Sequence, residues 1–285
     1  MDADLAAALG TALGASVVAS ARVTGGDVAI AFRAELADGR RVFAKTHAAP
    51  PPGFFVTEAA GLRWLGDAAA VSVPQVLAVG EEPAFLALEW IDEGDPGPTT
   101  ERDLGAGLAA LHRAGAPAFG REDRRPTGSR SLPNDPAPTW AEFYGERRLR
   151  PLATMAAASG ALDPSAVAGL RSIAERLDEL GGPPEPPARL HGDLWAGNRL
   201  VDRGGASWLI DPAAFGGHRE FDLAMMRLFG GYGPEVFAAY GDAFPLADGW
   251  QDRVALHQLA PLVVHAVKFG GGYRPAAAQA IARYV

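Results

Sequence analysis

The sequence predicts an α+β protein of two lobes, a small one built on an antiparallel sheet and a larger one that is mainly helical. Three observations carry this. Strand-like alternation is confined to residues 1–91, an acidic Pro/Gly-rich stretch follows at Asp92-Glu93-Gly94-Asp95-Pro96-Gly97-Pro98, and the rest reads largely as amphipathic helix. So polar and kinked a segment supports few core contacts across it, which places a linker at 92–98 between a first lobe at 1–91 and a second at 99–285. With 285 residues and 48% hydrophobic content, the chain can bury a sizeable core.

Leu5, Leu9 and Leu13 recur at four-residue spacing, the apolar stripe of a short helix over 4–14. Val28, Ile30, Phe32 and Ala34 then alternate with other residues. Asp38-Gly39 supplies a turn tolerant of positive φ, and Val42, Ala44 and Thr46 alternate again, which together read as a β-hairpin. Its first strand follows Gly25-Gly26-Asp27, and its second ends near Lys45. Pro50-Pro51-Pro52-Gly53 breaks the chain, after which Phe55, Glu58, Ala59, Leu62 and Leu65 mark a helix over about 54–67. Short strands follow at 75–79 and 84–90. Thr99 or Thr100 can cap the next helix, which carries Leu104, Leu108 and Leu111 on one face. The proline-rich connection over 116–139 exceeds an ordinary one, so it is either a functional loop or a disordered one. Helices are expected over 140–157 and 163–181, and again over 219–229, 233–243, 249–270 and 275–284. There is no internal repeat.

Lys and Arg total 26 against 34 Asp and Glu, and the net charge of −8 gives no general drive toward nucleic acid or an anionic membrane. A cationic or neutral substrate fits better. The absence of cysteine excludes disulfides, thiolate catalysis and Cys-based metal sites. Met1-Asp2-Ala3-Asp4 lacks the basic start of a signal peptide, and no apolar run approaches the roughly 18–20 residues of a membrane span. The expectation is a cytoplasmic protein.

The most informative segment is His191-Gly192-Asp193-Leu194-Trp195-Ala196-Gly197-Asn198, followed through a short apolar strand, Trp208-Leu209-Ile210, by Asp211-Pro212. An Asp, an Asn five positions later and a second Asp after a strand form the pattern of a phosphoryl-transfer site. Such chemistry needs little covalent help; the protein must hold nucleotide phosphates, chelate Mg²⁺ and orient one hydroxyl in line. Asp193 is placed to accept the acceptor hydroxyl's proton. Asn198 and Asp211 offer the hard oxygen ligands that Mg²⁺ takes. Asp193 alone would read as an ordinary turn residue after Gly192; the combination with His191, Asn198 and Asp211 is what points to chemistry. His191 is assigned to bracing the loop.

Upstream, Lys45 at a strand end and Glu58 on the following helix suit an ion pair that directs the lysine toward ATP phosphates. Separately they would read as solvated surface residues. Gly25-Gly26 could let backbone approach the phosphates, although the full G-x-G-x-x-G pattern is missing. Glu89-Trp90-Ile91 falls where a hinge could offer backbone groups to adenine, or is simply a strand end. Asp222 opens a helix and could accept N–H groups of the 191–198 loop, a supporting task compatible with its favourable place on the helix dipole.

HGDLWAGN at 191–198, LIDPAAFGGHREFDLAM at 209–226 and LFGGY at 228–232 resemble the fructosamine kinase (ketosamine-3-kinase) family, which shares the protein-kinase-like fold with aminoglycoside phosphotransferases. The resemblance extends to Gly25-Gly26-Asp27, Val42-Phe43-Ala44-Lys45, Glu58 and Trp140-Ala141-Glu142-Phe143-Tyr144, and so covers most of the chain. Trp195 is its sharpest discriminator. The resemblance implies a bilobal kinase-like fold, Asp193 as catalytic base, Asn198 and Asp211 as Mg²⁺ ligands, a Lys45–Glu58 ion pair and adenine at 89–91. It also implies ATP-dependent phosphorylation of the sugar 3-hydroxyl of a ketosamine, free or protein-bound, whose unstable 3-phosphate then leaves the amine. Trp195, His218 and the 116–139 loop are expected on the sugar side, since an indole face packs on a sugar ring or a cation. Two competitors stand beside this: a kinase for another amine-bearing molecule, such as an aminoglycoside or choline, and a nucleotide-binding pseudokinase. Retention of Lys45, Asp193, Asn198 and Asp211 argues against the second.

Overall fold

The structure, a computed structural model, describes residues 1–23, 29–126 and 130–285. Gly25 and Gly26, expected to cover phosphates, lie outside the described residues, as do Asp27 and Val28 at the start of the expected hairpin. The chain forms two compact units, Met1–Thr100 with Arg199–Pro212, and Glu101–Asn198 with Ala213–Val285. Residues 199–212 therefore group with the first unit, unlike in a linear division at 92–98. Strands β7 (Arg199–Val201) and β8 (Ser207–Leu209) are tied there by Leu209 N donating to Ser72 O at 2.9 Å and Gly94 N to Val201 O at 2.9 Å.

The first unit holds helix α1 (Ala3–Leu13), strands β1 (Val17–Val23), β2 (Ile30–Leu36) and β3 (Arg41–Thr46), helix α2 (Phe54–Gly66), and strands β4 (Val76–Glu81) and β5 (Ala84–Glu89). The five strands form an antiparallel sheet in the order β1-β2-β3-β5-β4. Asp2 caps α1 by accepting from Leu5 N at 2.8 Å, and Leu5 and Leu9 pack on Ala44. The other sheet face carries Phe43, Leu86 and Leu88 against Phe55, Ala59 and Leu62 of α2. Because strand side chains alternate, Ala44 faces α1 while Phe43 and Lys45 face α2. Strand β1 was not anticipated. It is an edge strand whose interior residues are all exposed, so burial left no alternation for the sequence to display.

The second unit is helical and opens with α3 (Thr100–Arg113), of which Thr100 groups with the first unit. One run comprises α4 (Trp140–Tyr144), a π-turn over Gly145–Leu149 and α5 (Arg150–Ser159). The helix expected over 163–181 is divided at Arg176 into α6 (Pro164–Glu175) and α7 (Leu177–Leu180). After the central motif come α8 (Glu220–Leu228), α9 (Pro234–Ala243), α10 (Trp250–His257), α11 (Leu259–Phe269) and α12 (Tyr273–Ile281); the last three divide the expected 249–270 run at Gln258 and begin the final helix two residues early. Two short strands, β6 (Ala188–Leu190) and β9 (Phe215–Gly217), pair antiparallel. The core of this unit gathers Phe143, Tyr144, Leu149, Leu170, Phe215 and Leu259.

Within the 116–139 connection, described residues are anchored rather than loose. Arg148 lies between the rings of Phe143 and Phe215, and its guanidinium donates to Pro133 O and Asn134 Oδ1, both at 2.5 Å. Burial pulls its pKa down to about 9. Among the described residues, no helix is long and apolar enough to cross a membrane.

Candidate active site

Strand β6 delivers the chain into the 191–198 loop, and its partner β9 delivers it toward α8. Their pairing, Leu190 opposite Phe215, sets the loop beside the first turn of α8. Asp222 on that turn accepts from His191 N at 2.7 Å and Gly192 N at 2.9 Å. It is fully buried, and His112 Nε2 stands 3.3 Å from its Oδ2 while His112 Nδ1 meets the Tyr240 hydroxyl at 2.9 Å. A chain of polar contacts from α9 through α3 to α8 thus ends on the loop backbone. Gly192 has φ +80°, and a Cβ there would strike the Ala213 carbonyl, so the turn into the loop requires glycine.

Inside the loop, His191 Nδ1 accepts from Asp193 N at 3.3 Å. Asn198 Nδ2 donates to Asp193 O at 2.8 Å and to Asp193 Oδ2 at 3.0 Å. The amide NH₂ of Asn198 is thus committed to Asp193. Trp195 is 40% exposed, two residues from Asp193, and Gly197 has no Cβ to collide with its indole.

The first unit holds a buried ion cluster of its own. Lys45 Nζ lies 2.7 Å from Glu58 Oε1 and 2.6 Å from Asp211 Oδ1. Glu58 reaches it because it shares the inward face of α2 with Phe55 and Leu62, three residues before and four after. Burial opposes the lysine's charge, but the two carboxylates outweigh it and hold the ammonium protonated, above its ordinary pKa. Burial, with Asp211 nearby, pushes Glu58 upward against the pull of Lys45. Asp211 follows the β7–β8 hairpin at φ +54°, a left-handed conformation that Asp tolerates and that is concentrated at functional sites. The hairpin turn is held by Asp202, which accepts from Gly204 N at 2.8 Å and Trp208 Nε1 at 2.8 Å.

At 89–91, Glu89 Oε1 accepts from Gln75 N at 2.8 Å, and Trp90 Nε1 donates to Asp92 Oδ1 at 3.0 Å. Asp92 also takes a bidentate bond from Arg41 at 2.7 and 2.6 Å, which, with Trp90, holds its carboxyl down at about 2. The stretch where a hinge was expected is thus held by Glu89 to Gln75, and by Trp90 to Asp92, which in turn is bound to Arg41 of β3.

His218, expected on the sugar side, is buried. It leaves β9 beneath Trp140 and stacks on His257 at 5.3 Å, a position set by core packing that gives it no exposed face. His218, Glu220 and His257 bring three potential metal ligands together. Glu220 is already bound bidentately by Arg253, at 2.9 and 2.6 Å, and His218 Nδ1 accepts from Glu220 N at 3.3 Å, which keeps the ring proton on Nε2. The cluster is thus an internal ion pair capped by two histidines, with no imidazole lone pair of His218 turned to a cation.

Sequence reasoning missed His112, Tyr240, Arg253 and His257. For His112 a signal existed: it stands four residues after Leu108, on the apolar face of α3.

A loop aspartate braced through its backbone, an asparagine bonded to it, and a buried lysine between two carboxylates define a phosphotransferase of the protein-kinase-like fold. More narrowly, the chain belongs to the fructosamine kinase family, whose family model matches residues 1–285. It is 37% identical over 254 residues to a probable ketoamine kinase of Enterococcus faecium, covering 88% of this chain and 90% of that one. It is 31% identical over 256 residues to the chloroplastic protein-ribulosamine 3-kinase of Arabidopsis thaliana, covering 87% and 77%. The crystal structure of a candidate fructosamine-3-kinase from Thermobifida fusca superposes with a TM-score of 0.90 at 43% identity, covering 98% of both chains. As a member of a kinase family the chain is a phosphotransferase that uses ATP.

Proposed function

We propose that the protein transfers the γ-phosphoryl group of ATP to the sugar 3-hydroxyl of a ketosamine, free or protein-bound, in the cytoplasm. The observation that carries this is the 191–198 loop, where Asp193 is held by Asn198 and by an Asp222-anchored backbone, with Trp195 exposed two residues on. Asp193 takes the proton of the 3-hydroxyl as the new O–P bond forms and the bond from the γ-phosphorus to the ADP oxygen breaks. Lys45, steered by Glu58, neutralises phosphate charge. Mg²⁺, when bound, would supply charge to offset that of the phosphates. Asn198 and Asp211 supply fitting donors, an amide oxygen and a carboxylate. The resulting 3-phosphate is unstable and releases the amine, which makes the reaction a step of deglycation.

The test is Mg²⁺-dependent ADP release with ribulosyl-lysine, fructosyl-lysine, an aminoglycoside, choline and no acceptor. Stimulation by the ketosamines alone is expected; stimulation by choline or the aminoglycoside instead would move the acceptor assignment, and silence with proven ATP binding would leave a pseudokinase.

Two variants probe the roles. Lys45→Met should lower kcat/KM for ATP by about 10²–10³-fold, the usual loss when one charge-stabilising donor is removed, and an unchanged value would detach Lys45 from the phosphates. Trp195→Ala should raise the ketosamine KM by about 2- to 30-fold, with the ATP KM little altered. An unaltered ketosamine KM in the folded variant would remove the indole from the sugar site.

A further inference from the structure

Three of the six large apolar side chains exposed among the described residues lie in one aromatic strip: Trp195 at 40%, Phe229 at 38% and Phe269 at 48%. Trp195 meets Phe229 edge-on at 6.1 Å, Phe229 lies 5.2 Å from the His265 ring, and His265 lies 5.4 Å from Phe269, with Tyr273 packed at 4.9 Å beneath His265. The strip thus runs without a gap from the 191–198 loop across the end of α8 to the end of α11. It is also fixed to that loop. Gly231, at φ +88°, approaches Ala196 so closely that a Cβ would collide with it, and the Tyr232 hydroxyl donates to Trp195 O at 3.3 Å. Exposed aromatics linked ring to ring through His265, and tied to a reactive loop, are uncommon on a protein surface unless something covers them.

Resting on the ketosamine kinase reading, we propose that Trp195, Phe229 and Phe269 form a carrier subsite for the lysyl stem and an apolar flanking residue of a peptide-borne ketosamine. The chemistry of that substrate matches the order of the rings. The carbon bearing the ketosamine nitrogen is two carbons from the one bearing the 3-hydroxyl, so with the hydroxyl at Asp193 the secondary ammonium stays close to the Trp195 indole. An indole face is the strongest aromatic partner for a cation. Beyond the nitrogen come four methylenes and then peptide backbone, an apolar stem that suits Phe229 and the ring of Phe269. Lys268 Nζ stands 4.5 Å from the Phe269 centroid at the outer end, which disfavours a second basic residue there and favours an apolar neighbour. A ketosamine of a small free amine would use only the first ring.

The experiment compares kcat/KM for two acceptors with the same sugar: ribulosyl-glycine, and a terminally blocked Leu-Lys-Leu peptide carrying the ribulosyl group on its lysine. The native protein should favour the peptide by at least about tenfold, and that ratio should fall about 3- to 30-fold in Phe229→Ser and in Phe269→Ser. Phe269→Tyr, which keeps the aromatic face, should retain the ratio. A ratio near one in the native protein, a ratio unchanged in both serine variants, or equal losses on both acceptors would overturn the subsite, the last by assigning the rings to support of the loop. If neither ketosamine stimulates ADP release from protein that binds ATP, the ketosamine reading itself falls, and the subsite with it.

Discussion

Asp193→Asn is expected to lower kcat by about 10²–10⁴-fold while ATP binding and thermal stability stay near native. The substitution conserves shape, and the structure explains why it should spare the loop. The bonds that hold the loop run from Asp222 to the backbone of His191 and Gly192, not to the side chain at 193. One contact of the side chain, accepting from Asn198 Nδ2 at 3.0 Å, can be kept by the oxygen of a carboxamide. What is lost is a group able to take a proton. Steady-state ADP release, an ATP titration by calorimetry and a melting curve would separate these terms. Turnover within a factor of about three of native would remove Asp193 as the base; loss of ATP binding would mean that the substitution disturbed more than proton transfer.

The parts of this molecule that could be read from sequence are those where local chemistry and global fold agree. Asp38-Gly39 between two alternating runs yields the β2–β3 hairpin, and Phe55, Ala59 and Leu62 yield α2, because burial on one face imposes the period the eye detects. The same periods predict that Lys45 and the inward face of α2 meet, since Lys45 shares a strand face with Phe43 and Glu58 shares a helix face with Leu62. The π-turn at Gly145–Leu149 and the breaks at Arg176 and Gln258 left no trace of that kind: apolar spacing continues through them, and tertiary packing decides where the ladder changes. The small strands β6 and β9 have three residues each, too few for any period, yet they set the loop against α8. Buried polar groups are the hardest to see. His112 interrupts an apolar face and was passed over, and His218 stood in a motif that drew attention to chemistry, whereas its surroundings are core. Such residues are recognised by their partners, which the sequence brings from distant segments.

Glu220→Ala is expected to cost about 3–5 kcal/mol of stability, the range for removing one member of a buried ion pair. Glu220 is 1% exposed, and its carboxylate accepts from Arg253 at 2.9 and 2.6 Å, with His257 Nε2 at 3.3 Å. Burial alone would raise its pKa, but the nearby His257 and the bonds from Arg253 outweigh it and hold it at about 2. The alanine variant leaves a buried guanidinium uncompensated, and the melting temperature should fall by about 6–20 °C. The double variant Glu220→Leu with Arg253→Met, which removes both charges, should recover most of that loss; a single variant that melts within about 2 °C of native would show the pair to be worth little. The neighbouring His218 adds a pH signature. Burial, then the charge of His257, lowers its pKa to about 4 from its ordinary 6.5, against the opposing pull of Glu220 and Glu185. The unfolded chain therefore takes up this proton near pH 6.5 while the folded chain resists until about pH 4. Stability falls by about 3 kcal/mol as pH drops through that window. Glu220 acts lower: its contribution is present above its unfolded pKa of 4.5 and is lost as pH falls from there through about 2. Between pH 4.5 and 6.5 the two are separated, so His218→Asn should flatten the dependence of melting temperature on pH there relative to the native protein, and an unaltered slope would place the source elsewhere.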